Sequence, residues 1–547
     1  AKSKRRDVEG PPPTILEHCS AVRDCAEAIW ESVESDLAQA LQCELSDLRS
    51  TILPLYRVAA LLHDVAKANS AFQALVHATG GQRRRQPVRH EVLAGVLLTD
   101  ERFWGKWFAS RMSEQQRWAV AWAVAGHHLE LRRKRFGDTE DPLYRTGSTP
   151  PDVTLYLDDG QVCEILAQAS GKGASAERDV PDAGRHTFDT LDESDRGLEH
   201  AVRQFVQRSD AFWRKQQQDC RFKRDTALLK ALLIAADVAG SASPMPGKRM
   251  TACAREWLAL RMEPHHADRI AADSLQGRGL YDFQRQVANS EHRVTVVTAG
   301  CGNGKTTAAY LWAKKWAQGR KLFFAYPTTG TASAGFQDYL FAQSDLERTL
   351  IHSRAEADIR AMLDSAQEDE SPIVRAQRHD SLLAWGQQVI ACTVDAVLGL
   401  TQNQRRPLFG FPAITCGAFV FDEVHSYDRR LFAELLRFLD TFPGVPVLIM
   451  SASIPPNRLR ALRGVAGERM NEPPIEGDPQ VEGLARYQLV DRTVEQCWNE
   501  VNRALHEGQK VLWVCNTVGS AVEVFREAKL RLEGIPELET LLYQSRL

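Results

Sequence analysis

Residues 298–307 read TAGCGNGKTT, and this stretch decides the fold. It follows the β-branched run 294–297 (VTVV) and opens a helical pattern over 306–316. Gly300, Gly302 and Gly304 let backbone N–H groups turn inward around an anion with no Cβ in the way. The helix start adds the positive end of its dipole. In a strand–loop–helix of this kind, Lys305 reaches the β and γ phosphates of a nucleotide and Thr306 holds Mg²⁺. The spacing is Ala299, four residues, then Gly304-Lys305-Thr306, with Ala where the general pattern has Gly.

Working outward, short apolar runs at 322–325, 388–391, 418–421 and 447–450 alternate with helical stretches from about residue 279. Such alternation predicts a parallel sheet covered by helices. Asp422 and Glu423 follow the run 418–421. A carboxylate at the end of such a strand can hold Mg²⁺, and its neighbour can polarise the attacking water. They are the expected second half of the nucleotide site.

The part before this zone has a different texture. From about 14 to 243 apolar residues recur at helical spacing, as in Val58, Ala59, Leu61, Leu62 and Val65. Residues 138–195 are rich in Gly, Asp, Pro and Ser; 138–160 reads as irregular and 171–195 as a surface insertion. The segment GSASPMPG at 240–247 reads as a linker. A last zone begins near residue 483, with a strand candidate at 510–514 and a helix from about 519. Those elements are too few to bury a core, so it reads as the start of a further domain. The expected division is 1–245, a connection at 246–278, 279–480 and 481–547.

Length and composition set the frame. At about 150 residues per domain, 547 residues imply three to four domains. The hydrophobic share of 44% and charged share of 25% are those of a globular chain, which rules out disorder or a coiled-coil array for the whole. No run of 18 apolar residues exists, and the N-terminal AKSKRRDVEGPPP has no apolar signal region, so neither a membrane span nor secretion is expected. Eleven cysteines without a CxxC pair fit reduced thiols and a cytoplasmic location. A net charge of -3 means that any surface for nucleic acid must be local.

The histidines of the first zone carry the second chemistry. His63-Asp64 lies within the apolar ALLHDVAK, read as helix, where an imidazole and a carboxylate are costly unless paired. His127-His128 follows the apolar run 118–125, and His18, His90 and Asp237 sit in or beside apolar helical segments. Together they offer ligands for one or two divalent metals, with Asp64 as the natural bridge. Basic runs flank them: Arg83 to Arg85 and Arg89 precede His90, while Arg132, Arg133, Lys134 and Arg135 follow His128. Such runs suit phosphates approaching the metals. The aromatics Trp104, Trp107, Phe108, Trp118 and Trp122 read as core.

The order His18, His63-Asp64, His90, His127-His128, Asp237 resembles the HD phosphohydrolase superfamily. HDVAKANSAFQ at 63–73, including Lys67, is similar to the form carried by CRISPR-associated HD nucleases, and LLIAADVAGS at 232–241 resembles their closing Asp helix. In the second zone DEVH at 422–425 resembles the DExH box of superfamily 2 helicases, and SAS at 451–453 their SAT motif with Ser453 in place of Thr. Pro327-Thr328 and Thr393-Val394-Asp395 resemble the strand-contacting motifs, and YDFQ at 281–284 the adenine-reading Q motif. FDEVHSYD at 421–428, IHSRA at 351–355 and YQSRL at 543–547 look like signatures of the fusion. An HD nuclease followed by a DExH motor resembles the helicase-nuclease of type I CRISPR interference.

That resemblance implies an all-α HD domain, a RecA-like α/β domain and the start of a second RecA-like domain. The family continues through a second RecA-like domain and C-terminal parts that this sequence does not contain. It implies metal ligation by His18, His63, Asp64, His90, His127, His128 and Asp237, with Asp64 and Lys67 catalytic. It implies that Gln284 reads adenine, with Gly302, Gly304, Lys305, Thr306 and Asp422 holding ATP and Mg²⁺ and Glu423 catalytic. His425, Ser451 and Ser453 would couple hydrolysis to movement, and Thr328, Thr393, Arg132 and Arg133 would touch DNA. The implied cofactors are ATP with Mg²⁺ and one or two divalent transition metals (Fe, Mn, Ni or Co). The implied partners are single-stranded DNA and an RNA-guided surveillance complex of the Cascade type. Two other readings stand beside this one: a motor fused to a nucleotide phosphohydrolase or sensor, and a non-catalytic ATPase subunit completed by a partner.

Overall fold

The computed structural model describes residues 13–76, 88–128, 152–170, 181, 184–189, 194, 197–242, 248–352, 382, 384–484, 488–535 and 538–543, the side chains at 405 and 406 excepted. The chain divides into two units, Ala1–Glu482 and Gly483–Leu547. The first holds a helical part followed by an α/β part, in the order expected from the sequence.

In the helical part, the long helix Ile15–Leu41 is fixed at its start by a capping box between Thr14 and Glu17. It packs against helix Cys220–Ser241, helix Leu53–Leu62 and helix Met250–Ala259. Val22, Ile29, Val33 and Leu37 are fully buried on it, at the three-and-four spacing of one helix face. Helices His90–Thr99 and Glu114–Ala125 pack on each other beside this layer. Trp104, Phe108 and Trp118 are buried, and Trp107 and Trp122 half-buried.

Two expectations for this part are corrected. The bundle is not all-α: strands β1 (Asp152–Tyr156) and β2 (Arg185–Asp189) form an antiparallel pair. They fall in the stretches read as irregular and as insertion. Val153, Leu155 and Phe188 are buried from it, an alternation too short to stand out among polar neighbours. His63 and Asp64 also do not lie within a helix. Leu53–Leu62 ends with His63 as its C-cap, and Asp64 opens a 3₁₀ turn at Val65–Lys67.

The α/β part is a seven-stranded parallel sheet in the order β5-β6-β4-β7-β8-β3-β9. These strands are β3 (Val294–Thr298), β4 (Lys321–Tyr326), β5 (Arg348–Ile351), β6 (Val389–Thr393), β7 (Gly417–Phe421), β8 (Val447–Ser451) and β9 (Ile475–Glu476). Both faces are covered, which is why the strands read as near-continuous apolar runs. Phe323, Ala325, Phe419, Phe421 and Ile449 join the core of the helical part. Their alternates Leu322, Phe324, Ala418, Val420 and Leu448 pack under the helices of the other face. One hydrophobic core thus runs from the bundle into one face of the sheet.

The connection at 246–278 contains helices Met250–Ala259 and Pro264–Leu275. Lys321, at the start of β4, fixes it to the sheet. Its side chain is fully buried and Nζ, with three N–H donors, lies within hydrogen-bond distance of the carbonyls of Trp257 (3.1 Å), Leu260 (2.9 Å), Trp385 (2.7 Å) and Gln387 (2.9 Å).

The second unit has helices Val494–His506 and Val518–Arg531, with Trp498, Ala528 and Leu532 as its small core. The strand expected at 510–514 is absent: these residues are extended without a ladder, and Leu512 is 86% exposed. A strand needs a paired neighbour, and β propensity alone does not supply one. All eleven cysteines are free. Among the described residues no helix is long and apolar enough to cross a membrane.

Candidate metal centre and nucleotide loop

Five elements of the bundle deliver seven side chains to one place. His18 comes from helix Ile15–Leu41, His63 and Asp64 from the turn after Leu53–Leu62, and His90 opens helix His90–Thr99. His127 and His128 follow Gly126, the C-cap of Glu114–Ala125, and Asp237 lies on Cys220–Ser241. His18, His63, Asp64, His90 and His127 are all buried.

Asp64 stands at the centre. Its Oδ2 lies 3.0 Å from His18 Nε2 and 3.4 Å from His63 Nε2; its Oδ1 lies 3.1 Å from His90 Nε2 and 3.7 Å from His127 Nε2. Asp237 Oδ1 is 3.4 Å from His63 Nε2 and 3.5 Å from His18 Nε2. His18 and His63 Nε2 are 3.1 Å apart, and His90 and His128 Nε2 3.3 Å. With metal–ligand bonds of about 2.1 Å, cis ligands on one ion are separated by about 3 Å. The donor set therefore fits one or two divalent ions held at Asp64. Among the described residues, Asp64 Oδ1 and His127 Nε2 are buried and make no hydrogen bond, as ligand atoms would be.

The ring orientations are set from behind. His63 Nδ1 lies 2.8 Å from the Ala60 carbonyl and His127 Nδ1 2.6 Å from that of Val124. A carbonyl only accepts, so each ring keeps a proton on Nδ1 and presents Nε2 inward. Burial opposes charge here, yet Asp64 and Asp237 lift the His63 imidazole to about 9. Burial would likewise raise Asp64, but His63, Lys67 and the neighbouring imidazoles of His127 and His18 hold its carboxyl well below the usual range. Lys67, itself buried, pairs directly with Asp64 Oδ2. Arg132 and Arg133 lie outside the described residues.

The second candidate site lines the C-terminal edge of the parallel sheet, where such folds bind ligands. The loop after β3 turns through Gly302 (φ +81°) and Gly304 (φ +83°), conformations open to glycine. Lys305 and Thr306 open helix Lys305–Trp316. Lys305 Nζ donates to the Ala299 carbonyl (2.9 Å) and pairs with Glu423 Oε1 (3.2 Å). Asp422 and Glu423 follow β7, and Glu423 takes a left-handed φ of +48°, rare for its residue type and costly to hold. Burial, and Glu423 beside it, push Asp422 up to about 7 against the pull of Lys305.

His425 and Ser451 are brought together. The His425 N–H donates to Ser451 Oγ (3.0 Å), Ser451 Oγ donates to the Ser453 carbonyl (2.7 Å), and His425 Nδ1 lies 3.1 Å from Glu423 Oε2. Ser453 itself is exposed. Gln284 is buried and bonded inside the protein: its Oε1 accepts from Tyr281 N–H (2.9 Å), and its Nε2 donates to the Gly304 carbonyl (3.1 Å). It braces the loop from below. Thr328 follows β4 and caps helix Thr329–Tyr339, its Oγ1 accepting from Thr331 N–H, and Thr393 ends β6.

Sequence reasoning missed Glu482. Its Oε1 accepts from Gly300 N–H (2.6 Å) and from the Asn303 amide (2.8 Å), so a carboxylate sits on the loop that phosphate would occupy. No motif marks it; it lies far from residue 300 in sequence.

Comparison with known proteins follows the same two parts. Residues 1–245 match the family model described as Cas3, HD domain. The chain is 38% identical over 526 residues to a CRISPR-associated nuclease/helicase Cas3 of Myxococcus xanthus, covering 92% of this chain and 66% of that protein. It is 24% identical over 278 residues to a protein of the same description from Methanocaldococcus jannaschii, covering 49% of this chain and 38% of the relative. The chain thus spans less than two thirds of these relatives' own length. Among solved structures, that of T. fusca Cas3 with ATP superposes with a TM-score of 0.53 at 16% identity, covering 98% of this chain and 64% of the other. Along 92% of its length the chain is thus similar in sequence to CRISPR-associated Cas3 proteins, and its residues 1–245 match their HD domain.

Proposed function

We propose that this chain cleaves single-stranded DNA at the Asp64 centre, and that its RecA-like domain belongs to an ATP-driven motor that feeds a strand to it. The observation that carries the reading is one buried carboxylate facing two groups of imidazoles, His18 and His63 on one oxygen, His90 and His127 on the other. Divalent ions held by these residues supply a Lewis acid for a phosphate oxygen and a water of lowered pKa. Asp64 and Asp237 give the centre the negative charge that retains cations. Lys67 keeps Asp64 ionised and adds a positive charge beside it, where a phosphodiester is to be drawn in.

In the motor part, Gly300–Gly304 N–H groups and Lys305 cradle the β and γ phosphates, Thr306 and Asp422 hold Mg²⁺, and Glu423 orients the attacking water. The Glu423–His425–Ser451 contacts tie this end of the sheet to Ser453, a route by which hydrolysis can reach a bound strand. We further propose recruitment by an RNA-guided surveillance complex, a reading in keeping with the CRISPR-associated description of the relatives.

The test uses circular single-stranded DNA with Mn²⁺, Co²⁺, Ni²⁺ or Fe²⁺. Metal-dependent nicking by the wild-type chain and none by Asp64→Ala supports the reading. Hydrolysis of free nucleotides with DNA left intact would replace it by the phosphohydrolase reading. DNA-stimulated ATP turnover lost in Lys305→Ala, with nicking kept, would assign the two activities to separate sites.

A further inference from the structure

His90 is placed differently from His63 and His127. His63 and His127 each present Nδ1 to a backbone carbonyl. His90 Nδ1 instead faces a side chain, Glu91 Oε2, at 3.5 Å. Glu91 is 2% exposed, and burying a carboxylate is costly unless its oxygens are satisfied. Arg89 pairs with Oε1. Oε2 is buried and, among the described residues, makes no hydrogen bond. Its neighbour at ion-pair distance is the His90 ring, whose Nε2 points at Asp64 Oδ1 (3.1 Å) and His128 Nε2 (3.3 Å).

We infer that Glu91 is a positioning residue of the metal centre: its Oε2 accepts the Nδ1–H of His90 and so leaves Nε2 free for the ion. The inference rests on the metal-centre reading proposed above. A separation of 3.5 Å is beyond a formed bond, and a few tenths of an ångström of ring movement closes it. An ion at Nε2 requires that lone pair free, which leaves the single ring proton on Nδ1, toward Glu91. A carboxylate there also raises the donor strength of the imidazole more than a neutral carbonyl does. The two-residue pattern gives Glu91 both tasks at once, Arg89 neutralising the outer oxygen while the inner one is left for His90.

A purely structural alternative exists: the Arg89–Glu91 pair could simply fix the start of helix His90–Thr99. The two roles separate in a three-way comparison of the full chain, using Mn²⁺ alone as probe and free Mn²⁺ counted by electron paramagnetic resonance. Glu91→Gln keeps the size and removes the charge; it is expected to weaken Mn²⁺ binding by about 10- to 100-fold with the metal-free melting temperature unchanged. Arg89→Gln removes the ion pair and leaves the carboxylate; it is expected to keep Mn²⁺ affinity within a few-fold of wild type. Equal losses in both variants, or unchanged binding in Glu91→Gln, overturn the inference. So does a loss that tracks a fall in metal-free melting temperature. Because the readout is metal binding, a wild-type chain that holds Mn²⁺ but leaves DNA intact breaks the functional proposal without touching Glu91.

Discussion

The metal centre and the nucleotide loop satisfy their polar atoms in opposite ways. At the centre, His63 and His127 are oriented from behind by carbonyls, while Asp64 Oδ1 and His127 Nε2 point inward without a hydrogen bond among the described residues. In the loop, the polar groups bond to the chain itself: Lys305 to Ala299 and Glu423, Gly300 and Asn303 to Glu482, Gln284 to Gly304. The first is preorganised, with ligands on helices and helix ends set in the buried core. The second has to exchange internal partners for phosphate. A carboxylate therefore has opposite meaning in the two places, as a ligand in one and as a competitor in the other.

The largest effect should come from Asp64. Asp64→Ala removes the atom pair that both groups of imidazoles share and leaves Lys67 buried without its partner. Losing one member of a buried pair costs about 3–5 kcal/mol. Denaturant unfolding of the metal-free chain should show that loss, and Mn²⁺ should no longer raise the melting temperature. Metal-dependent stabilisation that survives would break the view that one carboxylate organises the centre.

Lys321 comes next, and it tests whether the frame carrying both sites is a single packed body. Lys321→Ala leaves four carbonyls without their donor, a loss of about 3 kcal/mol. Burial pushes Lys321 down to about 7 from an ordinary 10.5. Between these values the unfolded chain holds a proton that the folded chain releases, so stability rises with pH across that window, by at most about 1.4 kcal/mol per unit. Lys321→Met should flatten that slope relative to wild type. Parallel pH profiles for the two proteins would remove Lys321 from this role.

How much of this was legible differs between the sites for the same physical reasons. The loop after β3 announces itself because glycines are needed wherever backbone must wrap an anion, and the buried strands announce themselves as apolar runs. The imidazole order from His18 to Asp237 was legible because such groups are conspicuous in apolar helical segments. What escaped were groups whose role depends on long-range packing. Lys321 looks like an ordinary charged strand end until Trp257 and Trp385 close over it. Glu91 looks like an acidic residue in a helix's first turn. The strands β1 and β2 hid in a polar stretch, and 510–514 has strand composition without a strand's neighbours.

The smallest predicted effect has the sign that most sharpens the comparison. Glu482 Oε1 takes hydrogen bonds from Gly300 N–H and the Asn303 amide, two of the donors that line the loop. The approach is tight: a Cβ on Gly477 would lie 2.5 Å from that oxygen and 2.9 Å from Ala299 Cβ. A nucleotide phosphate needs the same inward N–H groups, and two anions cannot share them. Binding must therefore expel the carboxylate before it gains its own hydrogen bonds. Hydrogen bonds to a charged group are worth about 1.5–3 kcal/mol, part of which water returns when Glu482 leaves. Glu482→Ala should then bind a fluorescent ATP analogue about tenfold more tightly, since about 1.4 kcal/mol is one decade. Glu482→Gln, still an acceptor but uncharged, should fall between. At Asp64 the loss of a carboxylate removes binding; here it improves it. Equal or weaker nucleotide affinity in Glu482→Ala would mean that the carboxylate shapes the loop and does not compete for it.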